Sequence, residues 1–242
     1  LRMEDELLLP SRTLIFGGDV LPVSYIKDIT SQDAEVSIIN HYGPTESTIG
    51  KLLHKVDPTF DYVTIPVGKL FSDSEAYIVS SDLSLCPLGV PGELVLGGVG
   101  ISKGYLNRPD LTKEKFISNP FEGGRSSVLY KTGDLVRRNA LGEIEFLGRV
   151  DDQVKIRGYR VELKEIGRVL QGCSGVVQSE VLFREDDLGV KRLVGYLVTE
   201  DDYSESDVKS YVSNHLPDYM IPQLYVELEE MPLTSNGKID RK

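Results

Sequence analysis

Short apolar runs broken by glycine and proline fill the first two-thirds of the chain, and longer mixed patterns fill the last third. The run Arg12-Thr-Leu-Ile-Phe16 ends at Gly17-Gly18-Asp19 and predicts a buried strand and turn. A second strand is predicted at Val36-Ser-Ile-Ile-Asn40, stopped by His41-Tyr-Gly-Pro-Thr-Glu46. The stretch from Pro22 to Asp33 between them is long enough for a crossover helix. Strand, helix, strand predicts a parallel βαβ unit, whose ligands sit beyond the carboxyl ends of the strands. Both polar loops, 17–19 and 41–46, fall at that edge.

From about Val63 the texture changes. Glu75–Val79, Gly92–Leu96, Leu129-Tyr130, Leu135–Arg137 and Glu143–Phe146 are short runs divided by Gly and Pro, which predicts an antiparallel β-barrel or a small sheet. Asn107 to Phe116 reads as a turn followed by one or two helical turns. After Asp151 the expected order is strand (Gln153–Ile156), helix (Leu163–Gln171), strand (Val176–Phe183), strand (Arg192–Val198), helix and strand (Leu224–Glu229), a small α+β subdomain. In its second helix Val208, Tyr211, Val212 and His215 share one face. Ser204 is the expected N-cap and Pro217 the stop. The fold expectation is therefore α/β plus a β-barrel core fragment over residues 1–150, then a small α+β subdomain over 151–242.

Composition narrows the classes. The 242 residues carry a formal charge of −11, so non-specific nucleic-acid or anionic-membrane binding is disfavoured by repulsion from phosphates. Cys86 and Cys173 are far apart with no CxxC, against a disulfide scaffold or zinc site. No apolar run approaches the roughly 18 residues of a membrane helix, and no signal peptide opens the chain. The expectation is a cytoplasmic protein.

Candidate chemistry concentrates in a few places. His41, His54 and His215 are scattered and support neither a His-based metal site nor a His-driven nucleophile. Gly97-Gly-Val-Gly-Ile-Ser-Lys-Gly104 fits neither common phosphate-loop spacing and reads as a tight β-turn with a bulge. Tyr42-Gly43-Pro-Thr45-Glu46 places an aromatic face, a hydroxyl and a carboxylate at a strand end. It can stack a flat base and hold Mg²⁺ through one carboxylate plus phosphates, or be an ordinary turn with a core tyrosine. Within the stretch Tyr130 to Glu165, Asp134 after the Gly133 turn can accept from a ribose diol and Arg149 can reach the same sugar. Ser235-Asn-Gly-Lys238 presents a lysine at a turn, suited to neutralising charge on a transferring phosphate, or is a solvated basic tail.

Taken together, six runs resemble the adenylation domain of nonribosomal peptide synthetases, in the adenylate-forming (acyl-CoA synthetase and luciferase-like) superfamily. They are Asn40–Glu46, Gly92-Glu-Leu with Gly104–Pro109, Tyr130–Leu135, Gly148–Gly158, Leu216–Pro222 and Asn236–Lys242, in family order. The resemblance implies ATP-dependent activation of a carboxylic acid, an amino acid in most such domains, to an acyl-adenylate. The acyl group then passes to the phosphopantetheine thiol of a carrier-protein domain. It implies that Tyr42 stacks on adenine beside Gly43, Thr45 contacts phosphate, Glu46 binds Mg²⁺, Asp134 and Arg149 hold the ribose, and Lys238 bridges the substrate carboxylate and phosphate. Asp151 matches the hinge of a mobile C-terminal subdomain, with Lys155 and Gly158 facing the carrier arm. Ile15, Gly17, His41, Ile49 and Gly50 match the acyl pocket, where small residues are common at position 41.

The departures are specific. The family's phosphate loop and amino-group-binding Asp lie upstream of these motifs, so the resemblance covers the later half of the large domain plus the small subdomain. The upstream half of the same domain is then an expected partner, and the segment alone is expected to be inactive. Where the family reads Glu-Leu-Gly-Glu-Ile-Glu, this chain has Glu162-Leu-Lys-Glu-Ile-Gly167. A freestanding acyl-CoA ligase and a non-catalytic scaffolding domain are the alternatives. The Tyr-Gly-Pro-Thr-Glu form and the Asn-Gly-Lys-Ile-Asp-Arg-Lys ending weigh against the first, and the intact nucleotide-contacting positions against the second.

Overall fold

The computed structural model describes residues 2–3, 6–7, 12–32, 35–151, 153–156, 159–185, 190–200, 203–235, 237 and 239–241. They form two units, Leu1–Asp151 and Asp152–Lys242.

The first unit opens with two short paired strands, β1 (Arg2–Met3) and β2 (Glu6–Leu7). Strand β3 (Thr13–Gly17), helix α1 (Val23–Gln32) and strand β4 (Ser37–Tyr42) follow. β3 and β4 are parallel, with Gly17 opposite His41, as the βαβ pattern predicts. Ile26 and Ile29 of α1 pack with Val36, Ile38, Val56 and Ile65 in one apolar cluster. β4 continues antiparallel into β5 (Leu52–Lys55) and β6 (Lys69–Leu70), two strands that the apolar pattern does not reveal.

A second sheet takes β7 (Ser74–Val79) and β8 (Gly92–Gly98). Helix α2 (Pro109–Lys115) starts on a proline and leads into β9 (Phe116–Ser118), β10 (Val128–Arg138) and β11 (Ile144–Arg149). Strand order is β11-β10-β8-β7, all antiparallel, with β9 on β10. The barrel expectation is not met. Among the described residues the edge strands β11 and β7 do not pair, so the ring of hydrogen bonds that closes a barrel is missing. The two runs read at 129–130 and 135–137 are one strand, because Gly133 absorbs the irregularity as a bulge between them. The two sheets meet where Val67 and Gly68 exchange backbone hydrogen bonds with Ile144, and where His54 contacts Glu143 at 3.1 Å.

In the second unit β12 (Gln153–Ile156) pairs with β13 (Tyr159–Glu162), a hairpin of which the apolar pattern shows only the first arm. Helix α3 (Leu163–Gln171) lies on a sheet of β14 (Val176–Glu185), β15 (Lys191–Thr199) and β16 (Leu224–Leu228). β14 and β15 are antiparallel; β15 and β16 are parallel, joined through α4 (Glu205–His215). Ser204 caps α4 by accepting from the Asp207 N–H, as expected. The core gathers Ile166 and Leu170 of α3, Leu193 and Leu197 of β15, and Val208 and Val212 of α4. His215 packs on its own helix face. It is exposed, stacked on Tyr211 at 4.1 Å between ring centres, one turn earlier on the same helix.

Gly167 lies inside α3, and a Cβ built there would meet nothing nearer than the Ser179 hydroxyl at 4.0 Å. The methyl group has room and the helix gains propensity. Gly167→Ala should therefore stabilise the second unit by about 1 kcal/mol, read as a higher urea midpoint at unchanged slope.

Candidate functional site

Strand alternation divides the candidate residues between two faces. Along β4, Ile38, Asn40 and Tyr42 point inward while Ser37, Ile39 and His41 point to the opposite side. On the neighbouring strand Thr13, Ile15 and Gly17 are the exposed positions, the last two level with Ile39 and His41. Residues 41 and 42, adjacent in sequence, therefore serve different surroundings. Gly50 comes up against the His41 ring, for a Cβ there would lie 2.3 Å from Nε2 and 3.3 Å from Phe71. The structure thus brings Gly17, His41 and Gly50 together and adds Phe71, whose ring centre is 6.0 Å from that of His41. Nothing in the local sequence marks Phe71.

Tyr42 goes the other way, into the cluster of Leu52, Val67, Leu94, Leu96, Val136 and Ile144. Its hydroxyl donates a short hydrogen bond to Oδ2 of Asp134, which is itself buried. Arg149 Nη1 donates to Oδ1 of the same carboxylate at 2.7 Å and to the Thr132 carbonyl at 3.0 Å. The other edge of the guanidinium forks onto Asp151, Nε to Oδ1 at 2.7 Å and Nη2 to Oδ2 at 2.6 Å. Gly133 makes this possible. Its φ is +72°, and a Cβ would stand 2.5 Å from Arg149 Nη2 and 2.6 Å from Asp151 Oδ2.

The electrostatics follow from burial. Removal from water, followed by the charge and hydrogen bond of Asp134, holds the Tyr42 phenol well above its ordinary pKa, so it remains a donor. For Arg149 burial works against the cation, but the hydrogen bonds and charges of Asp151 and Asp134 outweigh it and raise the pKa. Each oxygen of Asp134 has a protein donor, yet a carboxylate offers about four lone-pair sites. Lone pairs are thus left over on a carboxylate held in a pre-set orientation.

The loop after β4 is tightly wound. Thr45–Ser47 form one 3₁₀ turn, then Thr48 (φ 66°) and Ile49 (φ 64°) are both left-handed. A β-branched residue in that region is strained. Three contacts to the glycine-rich loop hold it: Thr48 Oγ1 to the Gly100 carbonyl at 2.6 Å, the Ser102 N–H to the Glu46 carbonyl at 2.8 Å, and Lys51 Nζ to the Val99 carbonyl. The twist leaves Ile49 67% exposed, comparable to Ile15 at 64%, so both apolar side chains remain available to a ligand. Desolvation lowers the pKa of buried Lys51 against the pull of Asp73. The segment 97–104 makes the expected turn, with Gly98, Gly100 and Gly104 at positive φ, but its pairing with β7 runs to Gly98 without a bulge.

Thr45 is exposed, and Glu46 is half-buried with Oε1 accepting from the Tyr105 hydroxyl at 2.6 Å. Burial, then the bond to Glu46, pushes the Tyr105 pKa up. Lys155 is exposed on β12, opposite Arg160. Lys238 and Gly158 lie outside the described residues.

Arg149→Met would leave the buried Asp134 carboxylate without its cation. The first unit should lose about 3–5 kcal/mol of unfolding free energy in urea, whereas an exposed surface pair contributes about 1 kcal/mol or less.

Residues 3–106 match the family model for AMP-binding enzymes, and residues 165–238 match the model for the AMP-binding enzyme C-terminal domain. Gramicidin S synthase 2 of Brevibacillus brevis is 43% identical over 237 residues, 98% of this chain and 5% of that protein. Tyrocidine synthase 3 of Brevibacillus parabrevis is 44% identical over 231 residues, 96% of this chain and 4% of that protein. The chain therefore spans a small part of the curated relatives it matches. Among solved structures, PA1221, a nonribosomal peptide synthetase (NRPS) protein containing adenylation and PCP domains, superposes with a TM-score of 0.80 at 31% identity, covering 95% of this chain and 39% of that one. The Vibrio cholerae adenylation domain AlmE, solved with glycyl-adenosine-5'-phosphate, gives 0.82 at 27%, covering 94% and 43%. The convergence of Tyr42, Asp134 and Arg149 from separate motifs agrees with these matches: the chain belongs to the AMP-binding, adenylate-forming enzyme family, as part of an adenylation domain of the nonribosomal peptide synthetase type.

Proposed function

We propose that the chain forms part of an adenylation domain that activates an amino acid with ATP and loads it on a carrier-protein phosphopantetheine thiol. The observation that carries this reading is the hydrogen-bonded set Tyr42–Asp134–Arg149, in which Tyr42 and Asp134 meet from 92 positions apart in the chain. In the first half-reaction a substrate carboxylate oxygen attacks the α-phosphorus of ATP and pyrophosphate leaves. In the second, the thiol sulfur attacks the acyl carbonyl and AMP leaves. Asp134, oriented by Tyr42 and Arg149, would accept from the ribose hydroxyls. The Tyr42 ring is packed in the apolar cluster instead of standing free to stack on adenine as expected, so its part would be to hold that carboxylate, with Gly43 beside the base. Ile15, Gly17, His41, Ile49 and Gly50 would line the acyl side chain, on the strand face opposite Tyr42. AlmE, crystallised with an aminoacyl-adenylate, and PA1221, with its PCP domain, support an amino-acid substrate and a carrier partner over free CoA.

The donor set also fits Mg²⁺. Among the described residues no three His, Cys, Asp or Glu side chains cluster as an all-protein cage. A cation held by one carboxylate plus substrate phosphates needs none. Glu46 would be that carboxylate, and Thr45 a phosphate contact. When bound, Mg²⁺ would screen the charge of the phosphate oxygens.

Lys238 would bridge the substrate carboxylate and the α-phosphate. In a complete adenylation domain carrying this chain, Lys238→Ala should cut ATP–pyrophosphate exchange by about a hundredfold; undiminished exchange removes that role. Asp151, the last residue of the first unit, would be the hinge about which the second unit rotates between half-reactions, bringing Lys155 and Gly158 to the carrier arm. Asp151→Pro should impair exchange and thioester formation unequally, measured separately; equal loss of both counts against a hinge.

A further inference from the structure

We propose that Tyr105 is a positioning residue for the cation-binding carboxylate Glu46, an inference that rests on the reading of Glu46 given above. Tyr105 reaches the site from the segment after the glycine-rich loop, 59 residues from Glu46 in the chain, and its hydroxyl donates to Glu46 Oε1 at 2.6 Å. A carboxylate on a short loop has several rotamers, and a hydrogen bond to one oxygen selects among them. Outer hydrogen bonds of this kind orient metal-ligating groups and tune their affinity.

The phenol is itself fixed on every side. Its ring meets Phe116 edge-on at 5.6 Å between centres, and Phe116 leans on the fully buried Tyr130 at 5.1 Å. The Tyr130 hydroxyl lies 3.5 Å from that of Tyr105. The Tyr105 N–H donates to Thr112 Oγ1 at 2.9 Å, tying the residue to α2. Gly104 allows this approach. With φ +136°, a Cβ there would fall 2.3 Å from Thr112 Cγ2. The Ser102 N–H bond to the Glu46 carbonyl fixes the backbone of the acceptor at the same time. The segment from Gly98 to Thr112 therefore sets both the position of Glu46 and the direction of its carboxylate, although it supplies no ligand itself.

The test uses Mn²⁺ as a spin-active probe for the cation, with the complete synthetase carrying this chain and a non-hydrolysable ATP analogue. Binding is read by electron paramagnetic resonance. Tyr105→Phe keeps the ring and loses the hydroxyl. It should weaken Mn²⁺ binding in the nucleotide complex roughly tenfold, with nucleotide affinity in EDTA and the melting temperature as in the wild type. Thr112→Val, which frees the Tyr105 backbone, should shift Mn²⁺ affinity the same way and serves if the first variant fails to fold. Wild-type Mn²⁺ affinity in Tyr105→Phe, alongside a clear loss in Glu46→Gln, overturns the role of Tyr105 and leaves Glu46 in place. Unchanged affinity in Glu46→Gln instead overturns the reading of Glu46 and this inference with it.

Discussion

Arg149 must satisfy two carboxylates at once, and much of the first unit is arranged so that it can. A guanidinium withdrawn from water is costly unless its donors are filled and its charge is matched. Here Asp134 and Asp151 supply the charge, the Thr132 carbonyl takes a further donor, and the absent side chain of Gly133 leaves space for the fork. The bulge that Gly133 creates in β10 is thus the geometric condition of the ion pairs. Because Asp134 also accepts from Tyr42, the same set ties the strand ending the βαβ unit to the β10–β11 hairpin. Since Asp151 is the last residue of the unit, the orientation of the Asp134 carboxylate and the position of the chain at the unit boundary share one side chain, that of Arg149.

The second organising feature is the two-residue period of β4. Tyr42 enters the interior while His41 stands on the face shared with Ile15 and Gly17. On the proposed reading one strand would then serve the nucleotide side, through Tyr42 and Asp134, and the acyl side, through His41, without their side chains competing for space. The loop that follows must reverse sharply to return Gly50 to the His41 side, at the expense of two consecutive left-handed residues. Contacts to Val99, Gly100 and Ser102 offset that strain. The glycine-rich loop is thus a brace for its neighbour.

The second unit has a core of its own, built from the apolar faces of its helices and strands. On the proposed reading, a body with its own core is what a rotation between two half-reactions would use.

Several features are legible in the residues alone. The apolar runs at 12–16 and 36–40 with a helix between them specify the parallel pair. The amphipathic faces of residues 163–171 and 205–215 specify α3 and α4, and Ser204 specifies its cap. These depend on local periodicity and local hydrogen bonding, which a sequence carries directly. The same spacing sets His215 on Tyr211, though not that it is exposed there, because helical spacing does not say which end of a stripe the core reaches. Strands β5, β6 and β13 leave no signal, since each is two to four residues long and exists through its partner. The barrel is a matter of closure, decided by which edge strands meet. At the site the sequence nominates Tyr42, Asp134 and Arg149 one by one, each with an ordinary alternative. Only the tertiary structure joins them, because a hydrogen bond between residues 92 apart, on strands of two different sheets, is fixed by how those sheets pack. Phe71 and Tyr105 stay hidden for the same reason: what they do depends on the side chains brought against them.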